Sequence, residues 1–334
     1  MKIKEVMMMN NDSLDNQMDL SIELIKQSKK IYIGSHIQPD GDNIGSILAL
    51  GLALKKIEKE VFIVKTDEIP SDYTFLPNID MIKDYDEKDN IIDLFIALDA
   101  SDLDRLGSKK TMVLKANKVL NIDHHKSNTY FGDVNVVSEN SSATGELVYR
   151  LIEKMGIELD KDIAACIYTA ISTDTGSFMY DSTTYETHEI VAKLLKTGID
   201  KNNININLYQ NRSLERTKLF IKALDGLETC FDNKVAIVKV TQELLKESKA
   251  KMEDTEGIVS FIRDIAPVEV ACLLKEFEKN QIKISVRSKR YIDVSQICEK
   301  FNGGGHKRAA GCTIYEDVEK AKELILEEIK ESFR

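Results

Sequence analysis

Three of the chain's five histidines stand in short strings with aspartates, and those strings carry its clearest chemistry. His36-Ile37-Gln38-Pro39-Asp40-Gly41-Asp42 packs one imidazole and two carboxylates into seven residues. Pro39 and Gly41 force a turn there, so His36, Asp40 and Asp42 can converge. Asp99 follows the apolar run Leu94–Leu98, and Asp123-His124-His125 follows Val119–Ile122. Asp174 stands where an apolar segment meets the turn at Gly176. Imidazoles among carboxylates are ligands for a divalent metal ion. A single Asp after a strand is more simply a turn or cap residue, and Asp102 and Asp104 are read that way. Four clusters of the same chemistry outweigh that reading.

Lys30–Gly34, Val61–Val64, Leu94–Leu98 and Val119–Ile122 are short, almost continuously apolar runs, the pattern of strands covered on both faces. Helical patterns lie between or after them, at 43–59, 145–155 and 162–171. Alternation of this kind predicts βαβ units and a parallel sheet, with the clusters along one edge, where open α/β sheets collect ligands. From Thr187 to Phe231 only helices are expected, broken by the Asn-rich stretch Asn202–Asn207, and His188 there is read as structural. Strand patterns resume at Val235–Val238 and Val268–Leu274. Ile282, Ile284 and Val286 then alternate with Lys283, Ser285 and Arg287, a half-buried strand. An amphipathic helix from Val318 to Phe333 closes the chain. The expected fold is therefore α/β: a parallel-sheet domain over 1–186, a helical linker over 187–231 and a smaller α/β domain over 232–334.

Composition sets further bounds. The net charge of −10 argues against a protein that coats long nucleic acid. Five cysteines without a C-x-x-C pair predict a reduced, cytoplasmic chain rather than a disulfide framework or zinc site. The apolar part of Met1–Asn10 is too short for a signal peptide, and no run approaches the ~20 apolar residues that span a bilayer.

HxxPDGDxxGS at His36–Ser46, LDASD at Leu98–Asp102, Asp123-His124-His125 and STDTGSF at Ser172–Phe178 resemble the motifs of the DHH phosphoesterases. Gly303-Gly304-Gly305-His306-Lys307-Arg308-Ala309-Ala310-Gly311 resembles the GGGHxxAAG signature of the associated DHHA1 domain. In size and layout the chain resembles the stand-alone nanoRNase/pAp phosphatases of this superfamily. The resemblance implies two metal ions, one on His36, Asp40 and Asp99 and the other on Asp42, Asp99, His124 and Asp174, with Asp99 bridging. Mixed imidazole and carboxylate ligands suit Mn²⁺ better than Mg²⁺, with Co²⁺ and Fe²⁺ as alternatives. Asp123 is expected to accept a ring N–H and fix the His124 tautomer. Two metals about 3.5–4 Å apart would activate a water for attack on phosphorus, with His125 stabilising charge or protonating the leaving oxygen.

A triple glycine can turn backbone N–H groups towards an anion. Gly303, Gly304, Gly305 and His306 are therefore candidate substrate ligands, together with Arg287, whose guanidinium suits phosphate. The implied layout puts metals on one wall of an interdomain cleft and a phosphate clamp on the other. The implied activity is hydrolysis of short RNA or DNA oligonucleotides, about two to five residues, to mononucleotides, and of pAp to AMP and phosphate. Hydrolysis of pApA is the alternative, and a non-catalytic nucleotide-binding module is the alternative from another class. No membrane partner is expected, and a homodimer has no sequence argument for or against it.

Overall fold

The computed structural model describes residues 13–85 and 91–333, so the expectation about Met1–Asn10 lies outside the described residues. Two compact units divide the chain between Asn211 and Arg212.

In the first unit the strands are β1 (Lys30–Ser35), β2 (Glu60–Val64), β3 (Ile82–Lys83), β4 (Leu94–Leu98), β5 (Lys118–Asp123) and β6 (Val134–Val137). They form one sheet of order β3-β2-β1-β4-β5-β6, parallel throughout. The apolar runs become its centre because both faces are covered: β4 is buried along its whole length. The helices are α1 (Leu14–Gln27), α2 (Gly41–Lys56), α3 (Lys110–Lys115), α4 (Thr144–Lys154), α5 (Lys161–Asp174), α6 (Tyr185–Lys196) and α7 (Lys201–Tyr209). One large core joins α1, α2 and α4–α7 to a sheet face, and a smaller one around Phe95, Leu106 and Met112 covers the other.

The strand order reverses between β1 and β4, and a crevice opens outside the carboxyl ends of strands at such a point. The register aligns those ends: Ser35 pairs with Leu98, and Leu98 with Ile122. His36, Asp99 and Asp123 each follow a residue of that row, so three clusters remote in sequence meet at one edge. The fourth arrives differently. Asp174 ends a helix, not a strand, and it is brought in by the packing of α2 on α5. A Cβ on Gly45 would lie 2.4 Å from the Cys166 carbonyl oxygen, so only glycine allows that approach.

The second unit holds α8 (Leu214–Asp225), β7 (Glu228–Cys230), β8 (Val235–Val240), α9 (Gln242–Ser248), α10 (Ile258–Arg263), β9 (Val270–Glu278), β10 (Gln281–Ser288), α11 (Val294–Glu299), β11 (Gly304–His306), β12 (Ala309–Ile314) and α12 (Val318–Ser332). Its sheet runs β11-β12-β10-β9-β8-β7, with β8 and β9 parallel and the other pairs antiparallel. Helices α11 and α12 cover one face. Helices α8–α10 cover the β8–β9 part of the other.

The stretch 187–231 divides between the two cores. Ile190, Val191, Leu194 and Ile204 pack in the first, Leu219 and Ala223 in the second. The Asn-rich segment does not break the helical pattern; it lies in α7, whose first turn Asp200 caps by accepting from the Asn203 N–H. That cap and the burial of Ile204 override the weak helix propensity of asparagine. Among the described residues no helix is long and apolar enough to cross a membrane.

Candidate metal centre

The four clusters form one side-chain constellation. His36 Nε2 lies 3.2 Å from Asp99 Oδ2 and 3.8 Å from Asp40 Oδ2. On the other side, His124 Nε2 lies 3.7 Å from Asp99 Oδ1, 3.8 Å from Asp42 Oδ2 and 3.4 Å from Asp174 Oδ2. The two oxygens of Asp99 thus face two different imidazoles. His36, Asp40 and Asp99 form one group whose donor atoms could hold a metal ion; Asp42, His124 and Asp174 form another; Asp99, His124 and His125 form a third.

Each donor is held by its surroundings. His36 Nδ1 is 2.7 Å from the Ile37 carbonyl, which can only accept, so this nitrogen carries the proton and Nε2 is turned to the carboxylates. His124 Nδ1 makes the same contact at 3.3 Å to the Ser141 carbonyl. Asp40 caps α2 through the Asn43 N–H and remains exposed. Asp42, one residue into α2, accepts from the backbone N–H groups of Thr144 (2.6 Å) and Gly145 (2.9 Å), at the start of α4. A carboxylate at a helix N-terminus is favoured by the unpaired amides and the helix dipole. The Thr144 hydroxyl donates to Asp99 Oδ1 at 3.0 Å, so the start of α4 fixes two candidate ligands at once. Asp99 itself has φ 56°, a left-handed conformation that Asp and Asn tolerate better than other non-glycine residues.

The electrostatics fit a cation. Asp42 and Asp99 are almost fully buried. Burial, then the Asp99 charge, pushes the Asp42 and Asp174 carboxyls well above the usual range. Burial opposes charge on Asp99 too, but the His36 hydrogen bond and the nearby imidazoles prevail and hold it below the usual range. For His36 burial is likewise outweighed, by the Asp99 hydrogen bond and charge, so its pKa is raised. Clustered carboxylates that repel one another, interleaved with ring nitrogens, are a donor set that a divalent ion stabilises.

Asp123 differs from the sequence-based expectation. Its Oδ1 contacts the ring Nδ1 of His125 at 2.7 Å, whereas only the backbone N–H of His124 reaches it. Side chains two apart share a side of an extended chain and neighbours do not, so Asp123 orients His125 while Ser141 orients His124. Burial would lower the His125 pKa, but the Asp123 hydrogen bond and the Asp99 and Asp123 charges push it up to about 9. The buried Asn128 side chain donates to Asp123 Oδ2 at 2.7 Å and to Asn121 Oδ1 at 2.8 Å, which fixes the far side of that carboxylate. Replacing Asp123 by Asn should return the His125 pKa from about 9 towards the ordinary value, readable by NMR titration of the ring. With it, kcat should fall about 10²-fold.

Sequence reasoning passed over Thr144, Gly145 and Asn128. Ser-Ala-Thr-Gly-Glu ahead of an apolar helical pattern is a helix-start signal, but its link to Asp42 and Asp99 is tertiary. Asp102 does what was expected of it, accepting from the Asp104 and Arg105 N–H groups in a turn. His188 packs beside Phe178 at 5.6 Å between ring centroids.

In the second unit Arg287 is half-buried on the polar face of β10, and its guanidinium donates to the Val286 carbonyl. The glycine triplet is not an open loop. Gly304–His306 is the edge strand β11, paired to Ala309–Gly311 across a turn at Lys307 and Arg308. Gly305 has φ 145°, and a Cβ there would meet the Ala309 carbonyl oxygen at 2.4 Å. Close strand pairing therefore requires a glycine at 305. Gly304 has open space around it, and Gly304, Gly305 and His306 lie at the surface or near it.

The sequence model described as the DHH family, N-terminal domain, matches residues 30–171, and that of the DHHA1 domain matches residues 232–334. A bifunctional oligoribonuclease and PAP phosphatase, NrnA, from Thermus thermophilus is 34% identical over 94% of each chain. An exopolyphosphatase-related protein from Bacteroides fragilis, solved by crystallography, is 31% identical, covers 95% of this chain and 96% of its own, and superposes with a TM-score of 0.90. RecJ of Thermus thermophilus, crystallised with Mn²⁺, shares the fold at 14% identity and a TM-score of 0.55; the match covers 96% of this chain and 55% of RecJ. The chain belongs to the DHH family of hydrolases, among its NrnA-type members that carry a DHHA1 domain.

Proposed function

We propose that this chain is a metal-dependent phosphoesterase that hydrolyses short oligoribonucleotides to mononucleotides and pAp to AMP and phosphate. The observation that carries the reading is Asp99. Its two oxygens lie 3.2 Å from His36 Nε2 and 3.7 Å from His124 Nε2, the placement of a carboxylate shared between two cation sites. His36 and Asp40 would complete one site, and Asp42, His124 and Asp174 the other. Mn²⁺ suits this donor set best. Ions bound there would lower the pKa of water and neutralise charge on phosphoryl oxygens. His125, held protonated by Asp123, would bring positive charge to the reacting phosphate. Arg287, Gly303 and the strand Gly304–His306 would hold another part of the substrate. The name of the Thermus relative supports this substrate class.

The test is turnover of pAp, pApA and 5′-labelled dinucleotides with Mn²⁺ added. Arg287→Ala should raise KM about tenfold, the loss of one charge-assisted phosphate contact, with kcat little changed. Binding of these compounds without turnover at any divalent ion would refute the enzyme reading.

A further inference from the structure

The second unit places two lysines where a sheet by itself would not favour them. Lys283, Ser285 and Arg287 alternate along one half-buried face of β10. Across the register Lys283 pairs with Lys275 of β9 on one side and with Thr313 of β12 on the other. Residues directly opposite on neighbouring strands project to the same side, and like charges so placed repel. Both lysines line a cavity of ≈530 Å³ together with Ser285, Asn302, Thr313 and Tyr315, and no carboxylate lines it. The Lys283 ammonium sits 3.7 Å from the centre of the Phe277 ring, a contact that leaves its charge unneutralised. Burial, then the Lys283 and Arg287 charges, holds the Lys275 pKa below its usual value.

We propose that this cavity is an anion subsite for a phosphate group, with Lys275 and Lys283 as cationic ligands and the Ser285 and Thr313 hydroxyls as further donors. An anion between the ammonium groups turns their repulsion into two charge-assisted contacts. The subsite extends the substrate surface proposed above: Gly303 also lines it, and Lys283 stands four residues along β10 from Arg287, about 13 Å between backbones. The phosphate belongs either to a longer oligonucleotide, a source that rests on the function proposed above, or to a free phosphate compound.

The full chain in EDTA, where turnover stops, is titrated with 5′-phosphorylated di- and tetraribonucleotides and with inorganic diphosphate. Lys275→Gln and Lys283→Gln are compared with the unaltered protein. If the phosphate belongs to the oligonucleotide, tetranucleotide affinity falls about tenfold in either variant and dinucleotide affinity falls less. If it belongs to a free compound, the loss appears with diphosphate. Lys283→Arg, which keeps the charge, restores binding in both cases. Because removing one of two opposed charges relieves repulsion, Lys275→Gln should not melt below the unaltered protein, whereas Lys283→Gln also gives up the Phe277 ring contact. Unchanged affinity for all three ligands in both folded variants overturns the subsite. Lysine-dependent diphosphate binding by a chain that fails to hydrolyse pAp would leave the subsite standing and remove the oligoribonuclease reading alone.

Discussion

Asp99→Asn should reduce turnover of pAp and dinucleotides by on the order of 10³-fold or more, as for groups that act as a unit in a site, with the protein still folded. Asp99 is 2% exposed, follows β4 in the strand row shared with His36 and Asp123, and faces both His36 and His124. An amide of the same shape keeps the Thr144 contact but supplies one neutral oxygen where two charged ones stood. Asparagine is the informative replacement because φ at this position is 56°. Alanine there would add about 1 kcal/mol or more of backbone strain and confuse a fold defect with a lost ligand. Mn²⁺ binding followed by calorimetry gives a readout apart from activity. Undiminished turnover in a folded Asp99→Asn protein would remove the shared-carboxylate reading.

The second large effect is on stability. In EDTA the first unit should lose stability as pH rises from about 4 towards about 9, and Mn²⁺ should remove that loss. Burial and the Asp99 charge raise Asp42 and Asp174 well above the usual range. The folded state therefore keeps protons that the unfolded chain sheds near pH ~4, and it loses stability as pH climbs from there through the raised values. His125 acts in the same direction. Its pKa of about 9 in the folded state gives stability that is fully present below its ordinary value and is lost as pH rises to about 9. Asp99, held low, contributes stability lost only at more acid pH, so it adds no slope in this window. A bound cation takes the place of the carboxyl protons, so its affinity grows with pH. At a hundred times the dissociation constant one site is worth about 2.7 kcal/mol, which raises Tm by roughly 5–10 °C in a domain of this size. Melting curves with and without Mn²⁺ at several pH values measure this. A Tm independent of both pH and Mn²⁺ would contradict it.

The NrnA-type assignment and the candidate ligands share one origin. In an open parallel sheet the strands are buried on both faces, so the only place for exposed chemistry is the edge where they end. Continuous apolar runs such as Leu94–Leu98 therefore carry two messages. They mark strands, and the polar residue that follows each is a candidate for the site. Asp99, His36 and Asp123 were legible for that reason.

The inventory was readable from residue order alone: an α/β chain with two sheets, three strand ends bearing acids and imidazoles, and a second unit with Arg287 and a glycine triplet. Residue type and short-range periodicity suffice for these because burial and turn formation act locally. Which acid serves which imidazole depends on long-range packing. The side of the chain on which Asp123 points gives it to His125, and the approach of α4 gives Asp42 and Asp99 to Thr144 and Gly145. The packing of α5 on α2 carries Asp174 to His124, and strand pairing makes an edge strand of Gly304–His306. Register and helix packing depend on contacts between residues far apart in the chain, which no local pattern encodes.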